Sequence, residues 1–138
     1  MSVDVQYETH HSNCPPPSKI QEWVITTLKK VKKSGDVSIL IVDEEKMHAL
    51  NLQYRKKDKP TNVLSFPCRL PIPLRGELLG DIVICAPIVE KEGNHWAHMV
   101  IHGVLHLLGY DHENESDALI MEKCENELLA ELDYQDNR

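Results

Sequence analysis

The sequence predicts an α+β domain, or the related α/β arrangement, with a small mixed sheet of about four strands packed against helices. Three observations lead there. Short β-branched runs are interleaved with segments of helical periodicity, the loops between them are short, and no run of 18 apolar residues occurs anywhere. Val3, Val5 and Tyr7 alternate with polar residues and read as the first strand. Pro15, Pro16 and Pro17 interrupt the chain before Ser18, the expected N-cap of a helix. In that helix Ile20, Trp23, Val24, Thr27, Leu28 and Val31 recur at three and four, and Gly35 ends it. Val37 to Val42 is apolar and β-branched, as a buried central strand would be.

Asp43 is expected to cap a second helix with Met47, Leu50 and Tyr54 inward, running to about Arg55 and stopped by Pro60. Val63 to Phe66 reads as a short strand closed by Pro67, and Pro71 and Pro73 make the segment to Gly76 a loop. Leu78 to Cys85 is the next strand. A turn or short helical piece near Pro87 to Glu92 then leads through Gly93 into a helix from His95 to Leu108. Asn114 or Ser116 starts the last helix, with Leu119, Ile120, Cys124, Leu128 and Leu132 as its apolar stripe.

With 138 residues the chain is expected to form one domain over 1–138, large enough to bury roughly two thirds of its unfolded surface without disulfides. Cys14, Cys68, Cys85 and Cys124 form no C-x-x-C pair, so the chain reads as reduced and cytoplasmic. Residues 1 to 17 carry no signal-peptide pattern, and no membrane partner is expected. The net charge of -7 argues against a nucleic-acid partner until its distribution is seen. Residues 1–75 hold 12 Lys+Arg and 8 Asp+Glu, whereas residues 76–138 hold 3 and 14. Two basic clusters stand out: Lys29, Lys30, Lys32 and Lys33 near a helix end, and Arg55, Lys56, Lys57 and Lys59 in a loop leading into a motif-rich segment.

The most informative segment is HGVLHLLGYDH, His102 to His112. His102 and His106 are four apart, so on a helix they share a face about 6 Å apart along the axis, within reach of one ion. Gly109 can end the helix in a left-handed conformation, so that His112 could supply a third nitrogen. Three protein ligands with an open fourth position are the catalytic pattern for zinc. The spacing is that of the long zincin signature, except that Gly103 stands where a zinc protease has its glutamate base, which points away from peptide hydrolysis. His95 and His98 fall with His102 and His106 within about an 80° arc of the same helix face. His98 and His102 are also four apart, but His98 lies about 12 Å along the axis from His106, too far to share its ion. His95 and His98 therefore read as residues of the substrate groove or of the surroundings of the ligands.

At this point the chain resembles the YbeY-like endoribonucleases, metal-dependent bacterial enzymes of ribosomal RNA maturation and ribosome quality control. The resemblance runs through LNLQYRKKDKPTNVLSFP (Leu50 to Pro67), LLGDIVIC (Leu78 to Cys85) and HWAHMVIHGVLHLLGYDH (His95 to His112), then MEKCE (Met121 to Glu125) in an acidic last helix. It implies one zinc ion per chain on His102, His106 and His112, and single-strand-specific RNA cleavage aided by Arg55. The implied partners are single-stranded RNA, ribosomal RNA and the small ribosomal subunit, in maturation of the 16S rRNA 3′ end. Only about ten residues separate Cys85 from the histidine helix, where family members usually carry a longer helical insertion.

Chemically, an arginine offers a permanently charged fork for two phosphate oxygens, which makes Arg55 and His102 the catalytic candidates. Lys56, Lys57, Lys59 and His98 are candidate RNA contacts. With Gly103 in the glutamate position the proton acceptor stays open: metal-activated water itself, or a carboxylate such as Asp81 or Asp111. Those two aspartates equally suit a role holding an imidazole tautomer. Two other classes compete: a metallohydrolase of another substrate, including a peptidase with an unusual base, and a non-catalytic ribosome-associated zinc protein.

Overall fold

A computed structural model describes residues 1–71, 74, 76–111 and 113–136, with side chains to 133. Four strands, β1 (Val3–Glu8), β2 (Asp36–Val42), β3 (Val63–Pro67) and β4 (Leu78–Cys85), form one mixed sheet in the order β1-β2-β4-β3. Strands β1, β2 and β4 are parallel, and β3 runs antiparallel to β4 at the sheet edge. Five helices complete the described residues: α1 (Pro17–Lys30), α2 (Glu44–Arg55), α3 (Ala86–Lys91), α4 (Trp96–Leu107) and α5 (Glu115–Asp136). The α+β class with a four-stranded mixed sheet is as the sequence predicts.

The alternation of side chains along the strands sorts the molecule into two apolar clusters. Val37, Ile39 and Ile41 of β2 and Ile82 and Ile84 of β4 face one way. They meet Ile20, Val24 and Leu28 of α1, Val100, Ile101, Val104 and Leu105 of α4, and Met121, Leu128 and Leu132 of α5. On the opposite face Val42, Leu64, Val83 and Cys85 surround Met47 of α2. Helix α4 approaches the sheet closely because Gly103 has no side chain: a Cβ there would lie 2.8 Å from Ile82 Cγ2. All four cysteines are free thiols, and burial pushes the Cys85 thiol up to about 11. No described helix is long and apolar enough to cross a membrane.

Several local expectations are corrected. Helix α1 starts at Pro17 with Pro16 as N-cap, one residue ahead of Ser18; proline suits the first helical position, where its missing N–H is no loss. Asp43 precedes α2 as expected, yet its carboxylate accepts from the Thr9 hydroxyl and the His10 amide rather than capping the helix. Tyr54, expected inward, is 58% exposed, while Asn51 is buried and donates from Nδ2 to the Lys59 carbonyl at 2.7 Å. On α5, Leu119 and Ile120 are exposed, and the inward stripe is Met121, Glu125, Leu128 and Leu132. Asn114, the residue before α5, caps it: the Asp117 amide donates to its Oδ1 at 2.8 Å. Pro73 lies outside the described residues.

Candidate functional site

The histidine face is real and ordered along α4. Ring centroids step 6.1 Å from His95 to His98, 6.3 Å to His102 and 4.5 Å to His106. His102 and His106 converge most closely, with Nε2 atoms 3.1 Å apart. Tetrahedral zinc with Zn–N bonds of about 2.0–2.1 Å separates its nitrogens by about 3.3–3.4 Å, so the pair stands close to the edge of such a coordination sphere. The donor set, two imidazole nitrogens, suits zinc.

The helix ends immediately afterwards through a Schellman motif. The Gly109 amide donates to the His106 carbonyl and the Tyr110 amide to the Leu105 carbonyl, with Gly109 at φ 97°, a conformation that favours glycine. Tyr110 and Asp111 are thereby turned onto the cleft wall. His112 lies outside the described residues.

Behind His102 stands a residue to which the sequence assigned no role. Glu125, on the inward face of α5 and 8% exposed, accepts from His102 Nδ1 at 2.7 Å through Oε2 and lies 3.3 Å from His98 Nε2. Burial pushes the Glu125 carboxyl up, but the hydrogen bonds and charges of His102 and His98 outweigh it and hold the group down to about 2. The carboxylate is therefore ionised and can only accept, so His102 Nδ1 carries a proton, and the ring is turned with Nε2 towards His106. The hydrogen bond to Glu125 raises the His98 pKa. One ligand-type atom from each of His98, His102 and Glu125 falls within 4.8 Å of the others, a group that could itself hold a metal ion. A signal for Glu125 did exist: it is a carboxylate four residues from Met121 and three from Leu128, on an otherwise apolar helix face.

A cleft of about 1060 Å³ opens beside this pair. Its lining runs from Tyr54 and Arg55 at the end of α2, along Thr61 to Pro67, to His102 and His106, and closes on Gly109 to Asp111. The edge strand β3 is its wall. Because Cys85 N–H donates to the Asn62 carbonyl and Cys68 N–H to that of Leu79, residues 64 and 66 face β4, and the backbone of Val63 and Ser65 faces the open edge. Ser65 Oγ donates to the Gly103 carbonyl at 3.1 Å, tying this wall to the histidine helix.

The structure thus brings Arg55, His102, His106 and Asp111 to one cleft, together with Arg69, which the sequence reading passed over. Lys56, Lys57 and Lys59 follow Arg55 in the adjoining loop but are not among the lining residues; Lys56 ends α2 in a left-handed conformation. His98 is one helical turn away, on Glu125, and His95 pairs with Glu92 at 2.7 Å. Asp81 is not brought to the histidines. It shares the side of β4 occupied by Val83 and Cys85, opposite to Ile82, on which α4 rests.

The family model of endoribonuclease YbeY matches residues 4–133. The chain belongs to the YbeY endoribonuclease family. YbeY proteins cleave RNA, which implies a role in ribosomal RNA processing for this chain. Among solved structures the YbeY-family chain is similar to TM1509 from Thermotoga maritima, determined in solution. The two are 27% identical, with a TM-score of 0.59 over 96% of this chain and 93% of the other.

Proposed function

We propose that residues 1–138 act as one zinc-dependent, single-strand-specific endoribonuclease domain, cytoplasmic, serving 16S rRNA 3′-end maturation and ribosome quality control on the small ribosomal subunit. The observation that carries this reading is that the converging His102 and His106 nitrogens and Arg55 line one cleft of a YbeY-family chain. We assign one zinc ion to His102 and His106, with His112 as the expected third ligand. Glu125 then serves as the carboxylate that orients His102, an arrangement common around zinc-bound histidine. When bound, zinc supplies Lewis acidity towards water and a phosphoryl oxygen.

The protein's own groups do the rest. Arg55 pairs its fork with the phosphate oxygens that gain charge during cleavage. Glu125 keeps the proton on His102 Nδ1 and so fixes the direction of Nε2. Of the two carboxylate candidates for accepting a proton, Asp111 lines the same cleft, whereas Asp81 lies on the side of β4 opposite to the histidine helix. Lys56, Lys57 and Lys59 extend the positive surface beyond Arg55 for the strand entering the cleft.

The alternative placement of the ion, between His98, His102 Nδ1 and Glu125, uses atoms already within 4.8 Å. It would leave the 3.1 Å approach of the two Nε2 atoms without a purpose, and the 2.7 Å separation of Glu125 from His102 is that of a hydrogen bond. The test is an assay of purified protein, with and without chelator, on single-stranded RNA and on casein. Chelator-sensitive RNA cleavage with inert casein is expected; metal-dependent proteolysis would move the protein to the peptidase class.

A further inference from the structure

Tyr54 is the penultimate residue of α2, and the cleft-lining tyrosine is 58% exposed, although the helical pattern would bury it. Its ring meets that of Phe66 edge-on, with centroids 5.1 Å apart and planes at 67°. Phe66 in turn is half-buried against the small cluster around Met47 and lines the same cleft on β3. Tyr54 is thus held by an anchored partner while most of its surface stays exposed, and it lines the cleft that Arg55, His102 and His106 also line. The next residue along the helix is the arginine. A base-sized aromatic surface and a phosphate-binding fork therefore emerge from consecutive positions.

Resting on the ribonuclease reading above, we propose that Tyr54, propped by Phe66, is the stacking platform that seats an unpaired nucleobase of the substrate, and that this platform makes the site selective for single-stranded RNA. Every base has a π-face, so a tyrosine platform tolerates sequence; only a base outside a duplex stack can reach it. A duplex would have to unstack and unpair first, which discriminates against it. Arg55 alone, reading phosphate charge, would discriminate far less, because both forms of RNA carry that charge.

The experiment measures binding of metal-loaded protein to a 2′-O-methyl single-stranded RNA and to an abasic strand of equal length, with strand integrity checked on a gel afterwards. Wild-type protein should prefer the strand with bases by about 5- to 100-fold, the usual effect of one stacked base. Tyr54→Leu keeps an apolar contact for Phe66 and removes the ring. It should abolish the preference while leaving affinity for the abasic strand unchanged, and Tyr54→Phe and Tyr54→Trp should retain the preference. A purely structural role for Tyr54 would weaken both strands alike, which would overturn the proposal, as would an undiminished preference in Tyr54→Leu or a lost preference in Tyr54→Phe. Wild-type protein that binds neither strand would overturn the ribonuclease reading and the platform together, whereas the other adverse results leave RNA binding standing.

Discussion

The sheet face beneath α1, α4 and α5 is closed by a continuous apolar core, whereas the face beneath α2 is covered by a cluster of five buried residues, Val42, Met47, Leu64, Val83 and Cys85. The proposed chemistry is divided along the same line. The converging histidines and their carboxylate project from α4 and α5, two helices packed into the large core, and Glu125 holds His102 by a hydrogen bond. Arg55, Tyr54 and the lysine loop extend from the helix over the small cluster, and β3, the shared edge, carries the cleft between them. Metal coordination tolerates little displacement of its nitrogens. A flexible strand of RNA is better met by groups on a lightly anchored helix, since local stability follows the number of buried apolar contacts.

The sharpest break in this division would come from the glycine that seats α4. Gly103→Glu puts a Cβ within 2.8 Å of Ile82 Cγ2 and a carboxylate against the apolar core. Overpacking and an unpaired buried charge should together cost at least about 3 kcal/mol, read as a lower denaturant midpoint, and no peptidase activity should appear. A stable, proteolytic Gly103→Glu protein would mean that α4 does not sit on the sheet as described. Next in size, Glu125→Ala should weaken metal binding about 10- to 100-fold, the effect of losing a hydrogen-bonding partner of a ligand, while His98→Ala leaves metal affinity nearly unchanged. If His98→Ala abolishes metal binding, the ion belongs to the His98, His102 and Glu125 group instead.

A smaller effect is expected on the thin face. Asn51→Ala removes a hydrogen bond to the loop after Arg55, at a cost of about 0.5–1.5 kcal/mol, because the exposed Lys59 carbonyl regains water. Amide exchange should then speed up in Leu52 to Lys57 with little change in Val100 to Leu105. Equal acceleration in both segments would show that the two faces open as one unit.

Where each element lies was legible wherever the pattern had one dominant period: the β-branched runs of β2 and β4, and the histidine face of α4. Errors arose where a helix offers two overlapping stripes. On α5 the expected stripe of Leu119, Ile120, Cys124, Leu128 and Leu132 shares Leu128 and Leu132 with the observed one, but Met121 and Glu125 take the inward places expected of Leu119 and Ile120. The observed set wins because Glu125 gains His102 and His98 as partners, a tertiary fact that hydrophobicity alone ranks the wrong way. Tyr54 stays exposed because α2 covers only a small cluster, and its ring lies against Phe66 beside the cleft instead. Asp81 illustrates a different limit. Strand parity sets it on the side opposite to Ile82, but which side receives the histidine helix is decided by packing.

The division of labour is tested most directly by measuring metal content and single-turnover RNA cleavage on the same preparations of His106→Ala and Arg55→Ala. Loss of a ligand should remove both metal and cleavage from His106→Ala. Arg55→Ala should keep its full metal content and lose about 10²-fold or more in cleavage rate, with little rescue by Arg55→Lys, which keeps the charge but not the two-pronged geometry. Full metal occupancy in His106→Ala, or wild-type cleavage by Arg55→Ala at saturating RNA, would contradict the account.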